Sequence, residues 1–182
     1  LEKQGFNYNF IGRFDISKVK EEVISFQDQW EKDVSRQKKY KEHKDTKTYM
    51  LQDVPLTWSK GQTLNPIKKY ENDKEWSMLN TIFTSIKDKY PGVIARVMYI
   101  NLPSGKSVPY HKDSGYYLFS VRRFHIPIIT NDKVSYTVGD EKKFMREGEC
   151  WEINNNNHHS VSNDGDSDRV HLVIDLIPHE SI

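Results

Sequence analysis

Hydrophobic and polar positions alternate with a different period in each half of the chain. In the first half the spacing is three and four. Ile16, Val19, Val23, Phe26 and Trp30 fall on one face of a predicted helix that Asp15 or Ser17 can cap. Trp76, Leu79, Phe83, Ile86 and Tyr90 form a second stripe, predicting a helix from about Asp73 to Lys89 that Pro91-Gly92 ends. Between the helices lie a basic stretch, 36–47, and a strand predicted over Thr46–Leu51.

After Pro91 the period becomes two. Short alternating runs cover 93–101, 122–130, 134–138, 149–154, 159–163 and 169–177. Turn residues separate them, among them Pro103-Ser104-Gly105, Asn131-Asp132, Glu147-Gly148 and Asn163-Asp164-Gly165. Evenly spaced short strands predict an all-β sandwich or jelly roll. The run 169–177 is apolar on both faces, with Val170, Leu172, Ile174 and Leu176 opposite Val173, so the two helices are expected to cover its outer side. The chain reads as one domain over 1–182, mainly β with flanking helices. Residues 1–92 are expected to supply helical and strand support, and 93–178 the β core.

Composition narrows the function. The 182 residues carry 27 Lys+Arg against 26 Asp+Glu, a formal net charge of +1, without the basic surplus of a nucleic-acid binder. Mean hydropathy is low, at −0.79, but 4 Trp, 10 Tyr and 8 Phe are too many for a disordered chain. The single cysteine, Cys150, can form no intramolecular disulfide and reads as a buried small hydrophobe. No apolar run approaches the ~20 residues of a membrane span, and the first fifteen residues lack a signal-peptide pattern. The expectation is a soluble cytoplasmic protein with neither nucleic-acid nor membrane partners. The stretch 36–47 is expected to be a solvated surface. The run Asp164–Asp168 is not a calcium loop, because Arg169 stands where that loop needs glycine.

The chemistry concentrates in His111-Lys112-Asp113, His159 and Arg169. Residues i and i+2 of a strand point the same way, so His111 and Asp113 present an imidazole and a carboxylate to one side. A second imidazole completes a two-histidine, one-carboxylate face, which binds Fe(II) and leaves positions for a cosubstrate and oxygen. The lack of thiolate favours iron, with zinc the alternative. His159 is preferred to His158 because it shares a face with Val161, whereas His158 shares one with Ser160 and Ser162. His43-Lys44-Asp45 repeats the tripeptide in a lysine-rich segment and is read as an exposed decoy. An inward Arg169 requires an anion, which the distal carboxylate of 2-oxoglutarate would supply, or else an ordinary salt bridge to Asp166 or Asp168. Arg123 and His125 are a further same-face pair able to hold a second carboxylate, from cosubstrate or substrate.

The ordered set His111-x-Asp113, Arg123-x-His125, 156–163 (NNHHSVSN) and 169–175 (RVHLVID) resembles the aspartyl/asparaginyl β-hydroxylase family of Fe(II)/2-oxoglutarate dioxygenases, which includes free-proline hydroxylases. The resemblance covers 95–178 most strongly. It implies a double-stranded β-helix, cupin-like core and metal ligands at His111, Asp113 and His159. It also implies a cosubstrate clamp at Arg169, with Arg123 and His125 at the other end of the cosubstrate or at the substrate. The implied reaction hydroxylates an sp3 C–H bond using O2 and 2-oxoglutarate. Animal members acting on peptides lack the carboxylate ligand, so Asp113 points toward the small bacterial type. Its substrate would be a free amino acid, a short peptide or an aspartyl/asparaginyl-type side chain. His171 and Asn163 are expected to orient the metal histidines. Two other readings are a jelly-roll protein that binds a small molecule without turnover, and a metal-dependent isomerase or hydrolase that has no use for Arg169.

Overall fold

A computed structural model describes residues 5–25, 30, 41–69 and 73–182. Two antiparallel sheets face each other. The larger contains β1 (Tyr8–Arg13), β2 (Lys47–Asp53), β3 (Ile67–Lys68), β4 (Gly92–Leu102), β6 (Arg122–Ile129), β9 (Glu149–Ile153) and β11 (Arg169–Pro178). Its spatial order is β1-β9-β6-β11-β4-β2-β3. The smaller contains β5 (Ser107–His111), β7 (Val134–Val138), β8 (Glu141–Lys143) and β10 (His159–Asn163), in the order β5-β10-β7-β8. The architecture is the expected mainly β jelly roll.

Helix α1 (Ser17–Ser25) starts where Asp15 accepts hydrogen bonds from the Ser17 amide and hydroxyl, at 3.0 and 2.6 Å. Helix α2 (Asp73–Lys89) occupies its predicted span. Val19 and Val23 of α1 and Leu79, Ile82 and Ile86 of α2 pack on the outer face of the large sheet, against Phe124, Ile126, Ile128, Leu172 and Ile174. Trp30 and Cys150 join this core, while Phe26 lies outside the described residues. The apolar covering explains why β6 and β11 are hydrophobic on the even-numbered side. No described helix is long and apolar enough to cross a membrane.

The six strands predicted after Pro91 appear within one residue of their expected bounds. The structure adds β1, β3, β5, β8 and a short helix α3 (Tyr116–Ser120). Alternation does not reveal β1 because, at the sheet edge, none of its residues is fully buried. It is recruited by β9, far away in sequence.

The odd-numbered side of β6 and β11 turns toward the small sheet. This inner face carries Arg123 and His125 on β6, and Arg169, His171, Val173 and Asp175 on β11, with Met98 and Ile100 of β4 alongside. At one end the space between the sheets is filled by Leu102, Val108, Val134, Tyr136, Val138 and Val161. The remaining space holds polar groups.

Candidate active site

Strands β5 and β10 pair so that His111 and His159 lie directly opposite each other. Cross-strand neighbours on one face are close, and here the ring centroids are 4.4 Å apart. Asp113 follows β5 by two residues and points the same way. One potential ligand atom from each of His111, Asp113 and His159 lies within 4.8 Å of the others. Each imidazole is oriented by a backbone carbonyl two residues earlier. His111 Nδ1 is 2.8 Å from Pro109 O, and His159 Nδ1 is 3.0 Å from Asn157 O. With Nδ1–H donated to a carbonyl, Nε2 keeps its lone pair. His111 Nε2 is buried and has no hydrogen-bond partner among the described residues; it lies 3.9 Å from Asp113 Oδ1. An orphaned imidazole nitrogen beside a carboxylate and a second imidazole, without thiolate, fits a divalent iron. Burial holds His159 below the ordinary histidine range, which keeps its imidazole neutral. His158 is exposed and stacks on Tyr110, 5.2 Å away, so strand parity separates the two histidines as expected.

Arg123 has a different setting from the anion-binding one expected. Its Nη1 donates to Asp113 Oδ2 at 2.6 Å, while Nε and Nη2 donate to the two oxygens of Asp175 at 2.7 and 2.9 Å. The register dictates this, because Arg123 sits directly across from Asp175. Burial opposes the guanidinium charge, but the two carboxylates outweigh it and hold the group above its ordinary value. The Tyr117 hydroxyl also donates to Asp175, at 3.2 Å. The result is a chain of contacts from Tyr117 through Asp175 and Arg123 to Asp113.

An inner chamber of about 40 Å³ extends from the histidines toward Arg169, walled by Ile100, His125, Tyr136 and Val173. Arg169 is 2% exposed and makes no ion pair among the described residues. Asp168 turns away to Asn101 and the Ser104 amide. Arg169 Nη2 donates to His171 Nδ1 at 2.7 Å, and its Nε is a buried donor with no hydrogen-bond partner among the described residues. Burial pushes the guanidinium down to about 10. His171 must accept from Arg169, so it is neutral. Burial first, then Arg169 and His125, push it well below the ordinary histidine range. His125 Nδ1 lies 3.3 Å from the same nitrogen.

This has a consequence for stability. The unfolded chain protonates His171 before the native one does, so its contribution is complete above the unfolded pKa, about 6.5, and is lost as pH falls below it. Urea unfolding of the wild type is expected to weaken between about pH 7 and 5, with a limiting slope near 1.4 kcal/mol per pH unit per proton. His171→Gln should flatten that dependence. An identical slope in the variant would contradict the assignment.

An outer chamber of about 170 Å³ opens on the other side of the ligands, against His43, Leu56, Arg96, Met98, Lys112 and Leu118. His43 is thus not the exposed decoy that its lysine-rich surroundings predicted. It closes a short 3₁₀ turn (Lys41–His43), and its carbonyl accepts from the Thr46 amide and hydroxyl at 3.0 and 2.8 Å. Its half-buried ring lies edge-on to His111, 5.3 Å between centroids, and lines both chambers. The orienting roles expected for His171 and Asn163 also move. His171 serves Arg169, and Asn163 ties its own loop to Leu102 O and Ser167 O. Sequence reasoning passed over Arg96, although a lone charge inside the apolar run 93–101 was a visible signal.

The chain matches the family described as aspartyl/asparaginyl beta-hydroxylase over residues 13–178. No curated protein matches it. Among solved structures, it is similar to an oxidoreductase of the 2OG-Fe(II) oxygenase family from Burkholderia pseudomallei. That likeness has TM-score 0.67 and 11% identity, over 96% of this chain and 86% of that one. It is also similar to the viral collagen prolyl hydroxylase vCPH of Paramecium Bursaria Chlorella virus-1, solved as its 2OG complex. There the TM-score is 0.55 and the identity 10%, over 96% and 97% of the two chains. At such identities the likeness is one of fold.

Proposed function

Because the chain belongs to the aspartyl/asparaginyl β-hydroxylase family and is a 2-oxoglutarate-dependent hydroxylase, we propose that His111, Asp113 and His159 hold its Fe(II), that Arg169 holds the distal carboxylate of 2-oxoglutarate, and that a small amino-acid-like molecule enters by the outer chamber. The observation that carries this reading is the convergence of three ligand side chains on one point with His111 Nε2 left unpartnered. When bound, Fe(II) with 2-oxoglutarate and O2 supplies the oxidising power that turns R–H into R–OH, releasing succinate and CO2.

The protein's own share is positional. The Pro109 and Asn157 carbonyls fix the imidazole tautomers and aim both Nε2 lone pairs inward. Arg123 holds one oxygen of Asp113, so the other stays turned toward His111. Neutral His171 accepts from Arg169 and sets the angle of its guanidinium, leaving Nε for an incoming carboxylate. His125 belongs to the wall of the cosubstrate chamber, beside Tyr136. The N-terminal elements support the core: β2 extends the large sheet, and α1 and α2 bury its outer face.

The test is anaerobic titration. Fe(II) plus 2-oxoglutarate should give a weak visible charge-transfer band in the wild type. Arg169→Gln should raise the 2-oxoglutarate concentration needed for half the band about 100-fold, as expected on losing a charged bidentate contact. A wild type with no band and no 2-oxoglutarate consumption would refute the reading.

A further inference from the structure

Two arginines face the outer chamber, and they differ in what they have left to give. Arg96, Asp175 and Arg123 form a row across β4, β11 and β6, because Asp175 pairs in register with both. Both Asp175 oxygens are engaged by Arg123, and Tyr117 donates to one of them as well. All three nitrogens of Arg123 are already engaged by Asp175 and Asp113. Arg96 turns the other way, donating through Nε to Asp53 Oδ1 at 2.9 Å. Its two terminal nitrogens make no hydrogen bond among the described residues. The Tyr117 ring packs against it, 5.9 Å from the guanidinium carbon. A buried arginine whose outer fork is unfilled among the described residues is built for a planar anion.

The rest of the chamber agrees. Among the described lining residues the only acid is Asp113, which Arg123 already grips, whereas exposed Lys112 adds positive charge at the rim. Leu56, Met98 and Leu118 supply an apolar wall. The chamber's 170 Å³ is many times the ~10–15 Å³ that holds one water, which gives room for a single small metabolite.

We propose that Arg96, rather than Arg123, receives the substrate's carboxylate, so that the outer chamber selects a small aliphatic carboxylate; this rests on the metal and cosubstrate reading above. Arg96 is then a specificity-determining residue, placed on a core strand so that the substrate's carbon skeleton lies between it and the ligand face.

The experiment compares acids with their own amides. Succinate release is measured for the wild type with a panel of free amino acids and other short aliphatic carboxylates, each beside its primary carboxamide. The best acid is expected to exceed its amide about 100-fold in kcat/KM. Arg96→Gln should lower kcat/KM for that acid by a similar factor, chiefly through KM, and bring acid and amide within a few-fold of each other. Equal rates for acid and amide in the wild type, or a wild-type ratio kept in Arg96→Gln, would overturn the proposal. The wild-type comparison decides even if the variant does not fold. The anaerobic Fe(II)/2-oxoglutarate band, recorded on the same protein, separates the two levels. A band without any carboxylate-dependent succinate overturns this inference alone, whereas a missing band overturns the reading beneath it.

Discussion

Asp113→Ala is expected to abolish Fe(II) binding and turnover while leaving the protein folded. The carboxylate is one of three ligand side chains at the proposed site, and removing it leaves two opposed imidazoles that hold the metal far more weakly. Activity should fall on the order of 1,000-fold or more, and the anaerobic charge-transfer band should vanish. His111→Ala and His159→Ala should do the same. The fold should survive Asp113→Ala because Arg123 keeps both of its contacts to Asp175. Thermal melting within a few degrees of wild type, together with loss of the band, is the expected pair of results. Retention of the band would mean that the metal lies elsewhere.

Asp175→Ala should strike stability hardest. Asp175 is fully buried and holds two of the three engaged nitrogens of Arg123, besides receiving the Tyr117 hydroxyl. Removing Asp175 leaves the buried Arg123 with Asp113 alone to offset its charge, and losing a partner of a buried ion pair costs about 3–5 kcal/mol. Urea unfolding measures that loss directly. Asp175 touches none of the proposed ligands, yet it steadies the arginine that steadies Asp113. Fe(II) affinity in variants that remain folded should therefore drop about 10–100-fold, the usual effect of losing an outer partner. The double variant Arg123→Met/Asp175→Leu separates the two roles. It replaces the pair by apolar groups, so much of the stability should return, but the metal affinity should not. Recovery of both would deny Arg123 a part in holding Asp113.

The helices and core strands were legible because their signals are local. A spacing of three and four fixes which side of α1 and α2 is apolar, and a spacing of two does the same for β4, β6, β7, β9, β10 and β11. The same parity carried His111 with Asp113, and chose His159 over His158, before any contact was known. Where burial was partial the signal failed, and β1, whose residues are never fully buried, went unread.

From sequence alone came the two helices and most core strands, the faces they present and the residue types able to bind iron beside a guanidinium. Which of those faces meet was decided only by the tertiary structure. Register across β5 and β10 set His111 against His159, and register across β6 and β11 set Arg123 against Asp175. The path of the 41–43 turn brought His43 to the cavity, and Asp53 took the Nε of Arg96, leaving its outer nitrogens unfilled among the described residues. The physical reason is range. Alternation is a property of a few consecutive backbone units, whereas the partner of a buried charge is whichever group strand pairing and chain closure carry next to it, often from a distant part of the sequence.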